Sequence, residues 1–139
     1  MGAYGVASDH NDSTMDWIGT ECFWKGEELI LNQSGANRAL KKSFDEIKKN
    51  DKSSEKYELD TYWAVGVSVN VLNRGLKVSK KYLLKSIKLN EYYLKNFYKG
   101  LEFSSLWKSR IKRHQELINE IKMFKKALKN NGILRKKSK

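Results

Sequence analysis

The chain has 139 residues, of which 40% are hydrophobic and 32% charged, and its formal net charge at pH 7 is +12. This length predicts one domain, and the hydrophobic fraction is too high for a disordered chain. No apolar run approaches the roughly 20 residues of a membrane-spanning helix, and the opening residues lack the pattern of a secretory signal. We therefore expect a cytoplasmic protein, or an intracellular or virion protein if the source is a virus.

The charge is distributed unevenly along the chain. Residues 1–60 carry 8 basic against 12 acidic residues, whereas residues 61–139 carry 20 against 4. The basic half could attract nucleic acid, an acidic protein or an anionic membrane. A lysine coat that merely faces solvent is the competing interpretation, because only 5 of the 28 basic residues are arginine, the usual residue for bidentate phosphate recognition.

The first predicted helix begins at residue 12 or 13 and ends near residue 23. Asn11 and Asp12 can cap its start, because their side chains accept hydrogen bonds from the free amides of the first turn. Asp16 is expected in that first turn, where a negative charge suits the helix dipole. Trp17 supplies apolar bulk for the core.

The middle of the chain predicts two further helices. The stretch 27–32 fits either a helical extension or a short turn, and a helix follows over about 34–49. Residues 64–72 show two patterns that predict different structures. Four valines alternate as in a strand, while an equally good stripe of residues at helical spacing is present. We predict a buried central helix that ends before Gly75, with Gly66 and Ser68 allowing another helix to approach closely.

The fourth helix, about 79–99, and the fifth, about 104–130, carry most of the lysines. On the fourth helix they recur in steps of three and four residues around Tyr92: Lys81, Lys85, Lys88, Lys95 and Lys99. On the fifth helix they lie opposite the apolar positions: Lys108, Lys112, Lys122, Lys126 and Lys129. Asn131 and Gly132 are typical of a helix C-terminus, and a frayed basic tail over 133–139 is expected.

These elements together predict the fold class. It is all-α, a single domain over residues 1–132, with about five helices in a small irregular bundle. We also expect an ordered N-terminal arm, in which Gly2 and Gly5 permit tight turns while Tyr4 docks in the core.

The first seventeen residues resemble the opening of a family of small bacterial proteins. The family opens with Met-Gly-x-Trp-Gly, followed by Asn-Asp and then by Asp with an aromatic or aliphatic residue. This chain has Met1 to Gly5 as Met-Gly-Ala-Tyr-Gly, with Asn11-Asp12 and Asp16-Trp17 in the same register. It thus resembles the domain of unknown function 4259 family, which has no settled activity, so the resemblance implies a fold more than a function.

Candidate chemistry in the N-terminal region is weak. Asp9, His10, Asp12 and Asp16 could gather around a metal ion, but an EF-hand loop would need Gly and Glu where two threonines stand. Helix capping explains the same acidic residues. Cys22 and His10 could pair as nucleophile and base, yet a small core-filling role for the cysteine is favoured. We predict no catalytic residue, no metal and no cofactor.

The sequence predicts a non-enzymatic helical interaction module whose basic C-terminal half binds an anionic partner, either nucleic acid or an acidic protein. Aromatic residues near the lysines could stack on bases if exposed: Tyr92, Tyr93, Tyr98 and Trp107. The alternative is an immunity- or antitoxin-like protein that binds its partner through the acidic N-terminal region. An unrecognised enzyme is the third hypothesis, and the oligomeric state is left open.

Overall fold

The computed structural model of the chain describes residues 12–48, 55–96 and 107–134. Five helices and one hairpin make up this part of the chain: α1 (Asp12–Gly19), β1 (Phe23–Lys25), β2 (Glu28–Ile30), α2 (Gln33–Lys48), α3 (Glu55–Asn73), α4 (Lys80–Asn96) and α5 (Trp107–Lys129). The predicted helical fold class is confirmed. In the described ranges no helix is both long enough and apolar enough to cross a membrane.

α3 is the central helix of the fold. Residues 64–69 are all buried, as are Val71 and Leu72. A helix that is covered on every side needs neighbours on every side, and α1, α2 and α4 supply them. The alternating valines therefore do not indicate a strand, because the residues between them are buried as well. The prediction of a buried central helix is confirmed.

Two serines join α3 to α4. Ser68 and Ser86 are both buried, and the Ser86 hydroxyl donates a hydrogen bond of 2.9 Å to the Ser68 hydroxyl oxygen. The pairing gives each hydroxyl a partner that burial would otherwise deny it. The close approach of another helix at Ser68, expected from the sequence, is thus confirmed.

α3 ends in the way that its glycine predicts. Gly75 has a positive φ of 79°, and its amide donates to the Leu72 carbonyl at 2.9 Å. The amide of Leu76 donates to the Val71 carbonyl at 3.1 Å, so the two bonds together satisfy carbonyls that the helix end would leave free. Leu76 then packs against the core.

The hairpin corrects the prediction for residues 20–32. We expected the first helix to continue to residue 23, and residues 27–32 to extend a helix or form a turn. Instead α1 ends at Gly19, and β1 and β2 pair antiparallel with Trp24 opposite Leu29. Gly26, with a φ of 64°, takes the left-handed conformation that a two-residue hairpin loop requires and that a helix excludes.

The start of α2 connects two distant parts of the chain. The Asn32 side-chain oxygen accepts a hydrogen bond of 2.8 Å from the Gly35 amide, which makes Asn32 the N-cap. The Gln33 side chain donates to the Lys77 carbonyl at 2.7 Å and accepts from the Lys77 amide at 2.8 Å. The helix therefore begins at Gln33, one residue before the predicted start, and holds the segment that joins α3 to α4.

α4 and α5 form an antiparallel pair. The Val78 amide, just before α4, donates to the Gly132 carbonyl, just after α5, at 2.9 Å. Further along, the Asn90 side-chain amide donates to a carboxylate oxygen of Glu120 at 3.0 Å, and both side chains are buried. Early residues of α4 thus meet late residues of α5.

The C-terminal end of α5 approaches the backbone before α4 very closely. Asn131 and Gly132 have positive φ values of 58° and 89°, so the predicted helix stop is confirmed. A Cβ atom added at Gly132 would overlap the Val78 carbonyl oxygen. Leu134, two residues further on, packs against the core, so contact with the bundle continues beyond Gly132.

Gly132→Ala is expected to lower the free energy of unfolding by about 2–4 kcal/mol, because it adds left-handed backbone strain to a steric overlap. Urea denaturation followed by circular dichroism measures the loss. Gly19→Ala is the matched control, since a Cβ there meets no atom within 4 Å. Equal stability of the two variants would contradict the close backbone contact.

Candidate functional site

α4 presents a row of lysines to solvent. Lys81, Lys88 and Lys95 are exposed and Lys85 is half-buried, in the order that the sequence spacing predicts. At 1.5 Å per helical residue, the row from Lys81 to Lys95 extends about 21 Å. The opposite side of the helix is buried: Leu83, Ile87, Leu89 and Tyr93.

α5 turns a second set of lysines outward. Its exposed lysines include Lys112, Lys122, Lys126 and Lys129, while Leu117, Phe124 and Ala127 are buried on the other side. We call the eight lysines 81, 85, 88, 95, 112, 122, 126 and 129 the lysine face. Lys80 and Lys125, which the sequence analysis did not single out, are exposed on the same two helices. Lys99 and the side chain of Lys108 lie outside the described part of the chain.

The lysine face differs from the cations of α2 in having no acidic partner. None of its lysines makes an ion pair with any residue that the structure describes. On α2, by contrast, Lys41 forms an ion pair with Asp45 at 2.8 Å, and the carboxylate of Glu21 forms ion pairs with both Arg38 and Lys42. Three cations of α2 thus have carboxylate partners within the fold, whereas the lysine face has none among the described residues.

Glu21 connects the segment after α1 to α2. Its side chain is only 8% exposed, and its two carboxylate oxygens accept from Arg38 at 2.6 Å and from Lys42 at 2.8 Å. The hydrogen bond from Lys42, and then that from Arg38, hold the pKa of Glu21 below its ordinary value. Part of the acidic charge of the N-terminal half is therefore used inside the fold.

An open groove of about 480 Å³ lies over the second half of α4. The described side chains that line it are Lys88, Glu91, Tyr92, Leu94 and Lys95. Tyr92 is 39% exposed there, in the middle of the lysine row. Helical spacing of three and four residues places Lys88 and Lys95 on the same side of α4 as Tyr92.

Of the other aromatic residues considered for stacking, Tyr93 is buried against Leu117 and faces away from the groove. Tyr98 and the side chain of Trp107 lie outside the described residues. Lys81 lies over the Tyr82 ring, at 4.9 Å from its centroid, which holds the lysine against the surface. Among the described aromatic residues of α4, Tyr92 is the most exposed and is the one that lines the groove.

The hairpin exposes apolar side chains that the sequence analysis missed. Trp24 is 70% exposed and Leu29 is 50% exposed, and the two are directly opposite on one side of the strand pair. Glu27 and Glu28 lie exposed at the adjoining turn. The available signal was a Gly-Glu pair between two short apolar runs, a pattern typical of a hairpin.

The predicted N-terminal motif lies largely outside the described residues, which leaves these positions as predictions: Gly2, Tyr4, Gly5 and Asn11. α1 begins at Asp12, one of the two starting points expected. Asp16 is exposed in the second turn of α1, so the expectation of a first-turn carboxylate is wrong for it. Trp17 is half-buried and packs against the core.

Cys22 is half-buried, packs against the core and donates from its thiol to the Ile18 carbonyl at 3.3 Å. This is the arrangement that the core-filling interpretation expects. Within the described ranges, no group of three or more His, Cys, Asp and Glu residues could hold a metal ion. Asp9 and His10 lie outside those ranges.

Neither the protein-family models, nor the curated proteins, nor the solved structures compared with this chain match it. The resemblance of the opening residues to the domain of unknown function 4259 family stays a prediction.

Glu21→Gln is expected to lower the free energy of unfolding by about 1 kcal/mol at pH 7, because it removes the charge that Arg38 and Lys42 share. The pKa of Glu21 is lowered on folding, so this stabilisation is fully present above pH 4.5 and is lost as the pH falls through the folded-state value. Urea denaturation at several pH values should show the difference from wild type shrinking below pH 4.5.

Glu27→Gln is the control for this experiment, because Glu27 is exposed and makes no ion pair with a described residue. Its effect on stability should be small throughout. A Glu21→Gln difference that persisted undiminished in acid would contradict the assigned role of the carboxylate.

Proposed function

We propose that this protein is a non-enzymatic binding module whose lysine face takes the phosphate backbone of a nucleic acid. The observation that carries the proposal is the contrast in pairing: the lysine face has no described acidic partner, whereas the cations of α2 do. Lysines gathered on a surface bind a polyanion because they release its condensed counterions.

The shape of the lysine face favours a nucleic acid over an acidic protein. Four lysines follow one line of about 21 Å along α4, which suits a linear chain of regularly repeated charges. Because α5 lies antiparallel beside α4, its lysines add a second set along the same pair of helices. An acidic protein would present a compact cluster of carboxylates, and a shorter group of lysines would be enough to bind it.

The use of lysine also indicates the kind of recognition. A lysine ammonium is a flexible point charge, whereas bidentate reading of guanine or phosphate is the role of arginine. The proposed lysine contacts are therefore with the backbone, and the lysines themselves do not distinguish one base from another.

Lys88→Gln combined with Lys122→Gln is expected to weaken nucleic-acid binding and to reduce the slope of log affinity against log salt by about 2, one unit for each lost phosphate contact. Fluorescence anisotropy with a labelled oligonucleotide, titrated at several salt concentrations, measures both quantities. The register that pairs Asn90 with Glu120 and Val78 with Gly132 places these two lysines at the same level along the antiparallel helices.

The matched control is Lys25→Gln combined with Lys41→Gln, two exposed lysines outside α4 and α5. It removes the same net charge, so any larger effect of the first variant reports position rather than total charge. Equal losses in the two variants would contradict a localised lysine face. Absence of salt-dependent binding by the wild type would overturn the proposal itself.

A second candidate function follows from the hairpin. We propose, as the alternative, an immunity- or antitoxin-like role in which the acidic N-terminal half binds a basic protein surface. The exposed pair Trp24 and Leu29 beside Glu27 and Glu28 favours it, because large apolar side chains exposed together mark protein-binding surfaces. This site is separate in sequence from the lysine face.

Trp24→Ala is expected to change the free energy of unfolding by no more than about 0.5 kcal/mol and to leave oligonucleotide affinity unaltered, because the side chain is exposed and lies outside α4 and α5. Trp17→Ala is the matched comparison, since the half-buried Trp17 packs against the core and its loss should be clearly destabilising. Weakened oligonucleotide binding by the Trp24 variant would show that the hairpin belongs to the nucleic-acid surface.

A further inference from the structure

The groove over α4 is lined by an aromatic residue, Tyr92, and by two lysines that lie before and after it in the sequence. Lys88 precedes Tyr92 by four residues and Lys95 follows it by three, so all three residues lie on one side of the helix and line the same groove. The Cα atoms of the two lysines are separated by about 10 Å along the helix axis. An aromatic face between cations is the arrangement that proteins use to hold a base while its phosphates are neutralised.

The negative charge of Glu91 favours the base of a nucleotide over its phosphate in the groove. Its carboxylate lines the groove together with Tyr92, and it repels a phosphate placed there. The same carboxylate can accept a hydrogen bond from an exocyclic amino group of a base, as acidic side chains do with cytosine. The phosphates are thus directed to the lysines on either side and the base to the groove.

Stacking on Tyr92 requires a base whose face is free. In a duplex both faces of each base are covered by neighbouring bases, whereas a single strand can turn its bases outward. We infer that the lysine face binds single-stranded nucleic acid, with one base stacked on Tyr92 and the adjoining phosphates on Lys88 and Lys95. This inference rests on the proposed function and adds to it the strand state and the residue that selects it.

The test compares Tyr92→Ala with Tyr92→Phe, using a labelled oligo(dC) strand and a duplex of the same length as probes. Tyr92→Ala is expected to weaken single-strand binding by about 5- to 100-fold, because one stacked base is lost. Tyr92→Phe keeps the ring and should bind as the wild type does. The salt slope should be unchanged in both variants, since no charge is removed.

Leu84→Ala is the matched control, because Leu84 is 46% exposed on the same helix and does not line the groove. Circular dichroism shows whether each variant keeps the helical fold. Single-strand binding by Tyr92→Ala that equals that of Leu84→Ala would overturn the stacking site, as would equal affinity of the wild type for duplex and single strand.

The proposed function fails in a different way. If the lysine variant binds as the wild type does, or the wild type binds neither probe, the phosphate contact itself is wrong and the stacking site falls with it. If the lysine variant loses binding while the Tyr92 variant does not, the phosphate contact stands and only the stacking site is overturned.

Discussion

The burial of residues 64–69, Val71 and Leu72 of α3 is the constraint on which the rest of the fold depends. Because these apolar or small residues face many directions around the helix axis, α1, α2 and α4 must each present an apolar side to them. Phe44 of α2 also reaches Tyr82 of α4, with ring centroids 4.9 Å apart, so the helices around α3 contact one another. α4 packs against α3, α2 and α5, and its lysine row is left to solvent.

Buried polar contacts set the register in which these helices pack. Apolar surfaces alone would tolerate a shift along the helix axis, but a shift would leave Ser68, Ser86, Asn90 or Glu120 without its partner, at a cost of about 1–3 kcal/mol for each buried group. The side-chain oxygen of Asn90, Oδ1, is buried and accepts no hydrogen bond within the described part of the chain. The backbone bond from Val78 to Gly132 confirms the same register from the end of the pair.

Some charged side chains of the chain form ion pairs within the fold, and others face solvent without a described ion-pair partner. Glu21 and Asp45 pair with three cations of α2, so part of the acidic charge of the N-terminal half acts within that half of the protein. The lysines of the lysine face on α4 and α5 form no ion pair with a described acidic residue. Because salt screens exposed charges, the affinity of such a surface for an anion falls as the ionic strength rises. The hairpin, with Trp24 and Leu29 exposed, is a second surface whose chemistry is apolar rather than cationic.

The sequence by itself predicted five helices, the stops at Gly75 and Gly132, and the outward position of the lysines. These follow from local physics, because helical periodicity separates the two sides of a helix and glycine permits the left-handed end. It did not reveal the hairpin, whose three-residue strands are too short to show a period. Only the tertiary structure decided that Asn90 and Glu120 are buried and that Glu21 pairs with Arg38 and Lys42, because residues far apart in the chain make those contacts and local spacing carries no information about them.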